Sequence, residues 1–148
     1  MAPIVASTEI ARTPEDVFAY LTDPSQLPAW QESVVSVEGH SGGPVADTTT
    51  CVITRRVGPR EMKMAVEIGN LDPPRSWTIR GLDGPVRGNV KGRVEPLDDG
   101  TRSRVTIELD LQGHGIGKLI VPLVVKRQAS KELPRNVQNL KERLESSA

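Results

Sequence analysis

Between Val86 and Leu111 the chain alternates so regularly that few structures are open to it. Val86, Gly88, Val90, Gly92 and Val94 fall on one face, and Arg87, Asn89, Lys91, Arg93 and Glu95 on the other. Ser103, Val105, Ile107, Leu109 and Leu111 then alternate with Arg104, Thr106, Glu108 and Asp110, and Asp98-Asp99-Gly100 lies between the two runs. A period of two reads as a half-buried strand, and the Asp-Gly turn makes the pair an antiparallel hairpin. Each strand therefore has one face to bury. Glycines on that face imply sharp coiling, or room for something bulky to approach.

The cover for that face comes from the C-terminal end. Leu133, Val137, Leu140 and Leu144 stand at i, i+4, i+7 and i+11, with Lys131, Arg135, Lys141 and Arg143 on the solvated sides. This spacing is that of an amphipathic helix. Ile116, Leu119, Ile120 and Leu123 extend the same stripe towards the N-terminus. Pro122 and Pro134 are expected to bend or interrupt it, since each removes a backbone donor.

The rest of the chain supplies more strands. Ile4–Ile10 alternates. Thr13-Pro14-Glu15-Asp16 then has the cap, the proline and the acids of a helix start, with Val17, Phe18 and Leu21 as its apolar face. Asp23-Pro24 ends that helix, and a second helical turn is expected from Pro24 to Leu27. Val34–Glu38, Thr48–Val57, Met62–Ile68 and the run around Trp77 and Ile79 read as strands, separated by turns at Gly39–Pro44, Gly58-Pro59 and Asp72-Pro73-Pro74. The predicted order is strand, two short helices, six strands and a long helix. That is an α+β fold of about seven antiparallel strands, and no linker-like shift divides the single domain 1–148. One long helix covers one sheet face, so a sheet curved around it, with a cavity between, is the economical packing.

Composition removes several functions. Lys+Arg and Asp+Glu both number 19, and aromatics are 3% of residues, so neither a general basic excess nor a base-stacking platform is present and no nucleic-acid partner is expected. The charge is uneven, however. The first fifty residues hold Arg12 against seven acids, while residues 101–148 hold nine bases and five acids. That basic end is either a surface matched to the acidic end or a patch for an anionic partner. Cys51 is the single cysteine and sits in a β-branched run, which suits packing better than metal or disulfide chemistry. No metal-ligand spacing occurs, and neither a metal nor a cofactor is expected. The N-terminus lacks a secretory pattern, and Ile116–Val125 is too short and broken for an integral membrane segment, so the expected address is cytoplasmic.

Several short motifs together carry a resemblance. They are Thr13-Pro14-Glu15-Asp16-Val17-Phe18, then Leu21, Asp23 and Leu27-Pro28-Ala29-Trp30, then Leu71-Asp72-Pro73-Pro74-Arg75, then Glu95-Pro96-Leu97-Asp98-Asp99-Gly100-Thr101, and finally Leu140-Lys141 with Leu144-Glu145. In this order the chain resembles the START-like (SRPBCC) helix-grip superfamily, in particular its polyketide cyclase/dehydrase-like branch. The resemblance covers nearly the whole chain. It implies a curved sheet gripping the C-terminal helix and a small-molecule cavity between them. It does not imply one activity, because the superfamily includes lipid and hormone binders as well as aromatase/cyclases.

The residues expected to line the cavity are Trp30, Met62, Met64 and Trp77, which are equally suited to plain core packing. On the helix, Leu123, Arg127, Ser130 and Pro134 follow a line that is expected to face the sheet. Arg127 on it is either an anchor for a ligand carbonyl or carboxylate, or a solvated arginine. Arg55 and Arg80 are ambiguous, because a one-residue shift in register reverses their direction. His40 reads as a loop residue. His114, in the loop that joins the last strand to the helix, is the weak candidate for a general acid–base. Three functions follow: a binder of a small hydrophobic or aromatic molecule, a cyclase/dehydratase-type enzyme using the same cavity, and a protein- or membrane-interaction accessory. A homodimer is left open.

Overall fold

The computed structural model describes residues 3–39 and 45–146, and for Ile120 and Leu123 the backbone alone. The elements in chain order are β1 (Ile4–Ile10), α1 (Pro14–Leu21), a 3-10 turn (Pro24–Gln26), α2 (Leu27–Trp30), β2 (Val34–Glu38), β3 (Thr49–Val57), β4 (Arg60–Asp72), β5 (Ser76–Gly81), β6 (Val86–Leu97) and β7 (Arg102–Gly113). Then come α3 (Gly117–Ile120), a π-helical segment (Val121–Val125) and α4 (Lys126–Ser146). His40 and the expected turn around it lie outside the described residues. The local chemistry explains the starts of the early helices. Thr13 Oγ1 accepts the Asp16 amide and caps α1, and Asp23 Oδ1 accepts the Ser25 amide and caps the 3-10 turn.

All seven strands form one antiparallel sheet, in the order β1-β7-β6-β5-β4-β3-β2. The two helical turns carry the chain from one edge, β1, to the other, β2. In a flat sheet those edges would lie about 29 Å apart, at about 4.8 Å per neighbouring pair. Yet both touch α4, which is only about 10 Å wide. At the β1 edge the Ala11 amide donates to Glu145 Oε2 at 2.8 Å, Lys141 Nζ donates to the Glu9 carbonyl at 2.6 Å, and Arg12 Nη1 donates to the Leu144 carbonyl at 2.8 Å. At the β2 edge Ser33 Oγ donates to Glu132 Oε2 at 2.7 Å, and the Glu32 amide donates to Asn136 Oδ1 at 3.1 Å. The sheet is therefore curled into a half-barrel around the helix. Register shifts between Gly69 and Asp72 on β4, and between Val34 and Ser36 on β2, add local bending.

The main core reaches across the curl, where Leu133, Val137, Leu140 and Leu144 of α4 belong to one cluster with Ile10, Val17, Phe18, Ile53, Val66, Trp77, Val94 and Val105. Gly92 stands directly opposite Trp77 in the β5–β6 pairing, and a β-carbon there would collide with the indole ring. The bulky group that this glycine admits is thus the chain's own Trp77, which meets Phe18 edge-on at 5.9 Å.

Two expectations for the helix are corrected. Ile116 and Leu119 do not continue the buried stripe: they are 68% and 67% exposed, and Val121 and Val125 take the inward places. The cause is the π segment. Its i→i+5 bonding puts more residues into a turn and slips the phase of everything before it. Pro122 lies in this segment and has no N–H with which to continue the i→i−4 bonding that the Val121 amide still makes to the Gly117 carbonyl. Pro134 does not interrupt the helix, since α4 runs through it unbroken.

Two measurements check this packing. Gly92→Ala should lower stability by about 1–3 kcal/mol in urea unfolding, because Trp77 must move. Gly69→Ala, whose β-carbon would meet nothing within 4 Å, should lose far less; equal losses would refute the steric account. Glu145 supplies a pH test. The Ala11 amide, and then Lys141, hold its carboxyl below the ordinary 4.5. Its contribution to stability is therefore full above 4.5 and is lost as pH falls through the lowered value. Glu145→Gln should flatten that part of the acid-unfolding profile, and an unchanged profile would remove Glu145 from it.

Candidate functional site

Strand parity decides what faces into the curl. On β3 the buried positions Cys51, Ile53 and Val57 share parity with Arg55, so the alternation aims Arg55 inward with them. On α4 the apolar stripe is wide enough to include the residues just before Leu133 and Val137, which are the buried polar residues Glu132 and Asn136. Between these surfaces lies a cavity of about 150 Å³. One part of its wall is apolar: Val57, Met64, Val86, Leu109, Leu111 and Val125. Met64, Leu109 and Leu111 are only half-buried although they face inward, as the walls of an unfilled space must be. Gly88 on β6 also lines it.

The other part is a polar cluster of Gln31, Ser33, Arg55, Gln128, Glu132 and Asn136. Arg55 Nη1 donates to Ser33 Oγ at 2.8 Å, and its Nη2 donates to Gln31 Oε1 at 2.8 Å. Ser33 in turn donates to Glu132 Oε2, which stands 3.7 Å from Arg55 Nη1. The side chains of Arg55 and Glu132 are only 25% and 11% exposed. Burial pulls the Arg55 guanidinium below its ordinary value, and Glu132 partly restores it. An arginine stays charged through such a shift. The cluster is therefore a nearly neutral pair of opposite charges with arginine N–H groups to spare. Gln128 ties the helix to the β3–β4 hairpin, donating to the Arg56 carbonyl at 2.9 Å and accepting the Gly58 amide at 3.0 Å.

Of the residues expected to meet a ligand, Trp30, Met64 and Trp77 line the cavity. Met62 packs half-buried beside Val57, Val86, Val121 and Val125, next to the cavity but outside its lining. The side chain of Leu123 lies outside the described residues. Arg127 is exposed, as are Ser130 and Pro134 on the same line. All three lie in α4, beyond the π segment, and its ordinary α-helical phase sets Arg127 about 120° round from Leu133, on the solvent side. His114 is exposed in its loop, and Arg80 points outward to pair with Glu67 at 3.1 Å. The indole nitrogens of Trp30 and Trp77 are buried with no protein acceptor among the described residues. A buried donor without an acceptor costs roughly 1–3 kcal/mol, so both indoles favour a guest or a solvent molecule that brings one. Among the described residues no group of three or more His, Cys, Asp or Glu could hold a metal.

Comparison with known proteins agrees with this architecture. Residues 1–145 match the sequence profile of the family described as polyketide cyclase / dehydrase and lipid transport. No curated protein matches the sequence. Among solved structures, TTHA0849 from Thermus thermophilus is similar with a TM-score of 0.79 at 17% identity, covering 99% of each chain. A START superfamily protein from Mycobacterium smegmatis has the same TM-score at 13% identity, over 100% of both chains. The di-domain aromatase/cyclase BexL from the BE-7585A biosynthetic pathway reaches 0.69 at 15% identity, over 96% of this chain and 46% of its own. At these identities the likeness is one of fold.

The polar cluster makes a prediction of its own. Glu132→Leu should destabilise the protein by about 2 kcal/mol, since Arg55 loses its counter-charge and Ser33 its acceptor. Adding Arg55→Met should recover most of that loss. A double-mutant cycle in urea that gives purely additive effects would show that the two groups do not act as a pair.

Proposed function

The chain belongs to the polyketide cyclase/dehydrase and lipid transport family, and from that premise we propose that it binds a small, neutral, mostly apolar molecule with a carbonyl-like acceptor in the cavity between sheet and helix. The observation that carries this reading is the division of the cavity wall into an apolar part and one compensated polar cluster. A carboxylate guest would face Glu132, whereas a neutral acceptor meets the spare N–H groups of Arg55 and the indole of Trp30 or Trp77 without that repulsion. Size sets the class. A cavity of about 150 Å³ accommodates a benzene-sized guest, so a single aromatic ring or a short branched chain fits without movement of the walls. Binding is favoured over turnover because Arg55 and Glu132, the charged groups among the described lining residues, are already engaged with each other and with Ser33 and Gln31. Of the other lining residues none is a histidine, lysine or cysteine that would serve as base or nucleophile.

Both tryptophans of the chain line the cavity, so intrinsic fluorescence reports on its contents. Acetophenone should shift the emission and raise the melting temperature, and benzoate should do both more weakly. Ala129 faces the cavity from α4. Ala129→Phe should fill the space, abolish the acetophenone response and leave the fold intact. Failure of acetophenone and of larger neutral aryl ketones to change either signal would refute the proposal.

A further inference from the structure

The first turns of the C-terminal helix present their apolar stripe to solvent. Ile116 and Leu119 are 68% and 67% exposed and Val124 is 43% exposed, and Pro122 is exposed beside them. The inward places belong to Val121 and Val125, which pack with Val57 and Val86, and of these Val57, Val86 and Val125 line the cavity. Large apolar side chains gathered along one short stretch, rather than scattered singly, mark a contact surface. The stretch is also firmly seated. Gly117 lies so close against the Pro85 carbonyl that any side chain there would overlap it, and Gly113 lies equally close to the Gly117 backbone. The His114 amide donates to the Pro85 carbonyl at 2.9 Å.

The charge around this face is one-sided. Between Leu111 and Glu132 the sequence carries Lys118, Lys126, Arg127 and Lys131 and no carboxylate. The β3–β4 hairpin, fastened to the helix by Gln128, adds Arg56 and Arg60 against Glu61. The β5–β6 loop, held against Gly117 at Pro85, and the start of β6 add Asp83 and Arg87, one acid against one base. We propose that this face docks the protein on an anionic lipid bilayer, with Ile116, Leu119 and Val124 entering the acyl boundary and the lysines and arginines at the headgroups. Protruding aliphatics among cations are what an interfacial helix uses. A second copy of the chain is disfavoured, because a two-fold contact through this face would set cations against cations. A protein partner is disfavoured by the absence of any aromatic anchor, since Phe18, Tyr20, Trp30 and Trp77 all lie elsewhere.

The test is co-sedimentation of the full, ligand-free chain with vesicles of phosphatidylcholine alone and with one third phosphatidylglycerol. Binding should require phosphatidylglycerol and weaken as salt is raised. Lys118→Glu should weaken it by roughly fivefold or more per unit of charge. Leu119→Ser should weaken it by about tenfold with an unchanged melting temperature, because the residue is exposed. No binding to phosphatidylglycerol vesicles at low salt would overturn the proposal, as would equal binding to pure phosphatidylcholine. A concentration-dependent dimer in solution that Leu119→Ser abolishes would also overturn it, assigning the face to a second copy instead. None of these outcomes depends on whether the cavity takes a guest.

Discussion

The structure depends on one helix being held by both edges of the same sheet. An antiparallel sheet of seven strands has more apolar surface than a single helix can cover if it stays flat, and curling is the way the two surfaces become commensurate. The ties that hold the curl differ in kind. At the β1 edge they are exposed or half-buried, and each uses a main-chain group: the Ala11 amide, and the Glu9 and Leu144 carbonyls. At the β2 edge they are the buried Ser33–Glu132–Arg55 cluster and the Asn136 contact with the chain just before β2. The C-terminal half of α4 is packed with side chains at Val137, Leu140 and Leu144, whereas its N-terminal half, at Gln128, Ala129 and Glu132, faces an internal space bounded in part by polar groups.

That asymmetry gives the polar cluster two roles. It satisfies charged and hydroxyl groups that would otherwise be costly to bury, and it occupies positions that a filled core would give to leucine or valine. Arg55 reaches across from β3 and Glu132 from α4, so neither element can slide without breaking a buried pair. The half-buried apolar walls opposite are the counterpart of this arrangement. A curved sheet pinned at both margins does not relax inward to fill the space that its own curvature creates.

Much of this was legible in the residues. The strand Ile4–Ile10, the Thr13 cap, the hairpin at Asp98-Asp99-Gly100 and the stripe Leu133–Val137–Leu140–Leu144 all follow from periodicity and local capping, and those are short-range effects. Trp30, Met64 and Trp77 reach the cavity because large apolar side chains on inward positions have few other places to go. Arg55 was readable by parity with Cys51, Ile53 and Val57, but an arginine within a β-branched run is ordinarily taken to point outward. The exposure of Ile116 and Leu119 was not legible, because it depends on how many residues lie in the turns that join them to α4. The π segment alters that number through backbone hydrogen bonds that leave no mark on side-chain spacing.

The strand order also bears on the route by which the chain assembles. β1 is an edge strand whose one partner in the sheet is β7, with Ile4 opposite Leu109 and Ile10 opposite Ser103. During synthesis β1 must therefore wait, unpaired, until about a hundred further residues have emerged, while β3 to β7 zip together in neighbouring hairpins. Closing so long a loop comes late and is entropically costly. The apolar underside of the growing sheet stays uncovered for longer still, since α4 follows all seven strands in the chain, so the nascent sheet is most open to aggregation or chaperone capture just before that helix arrives.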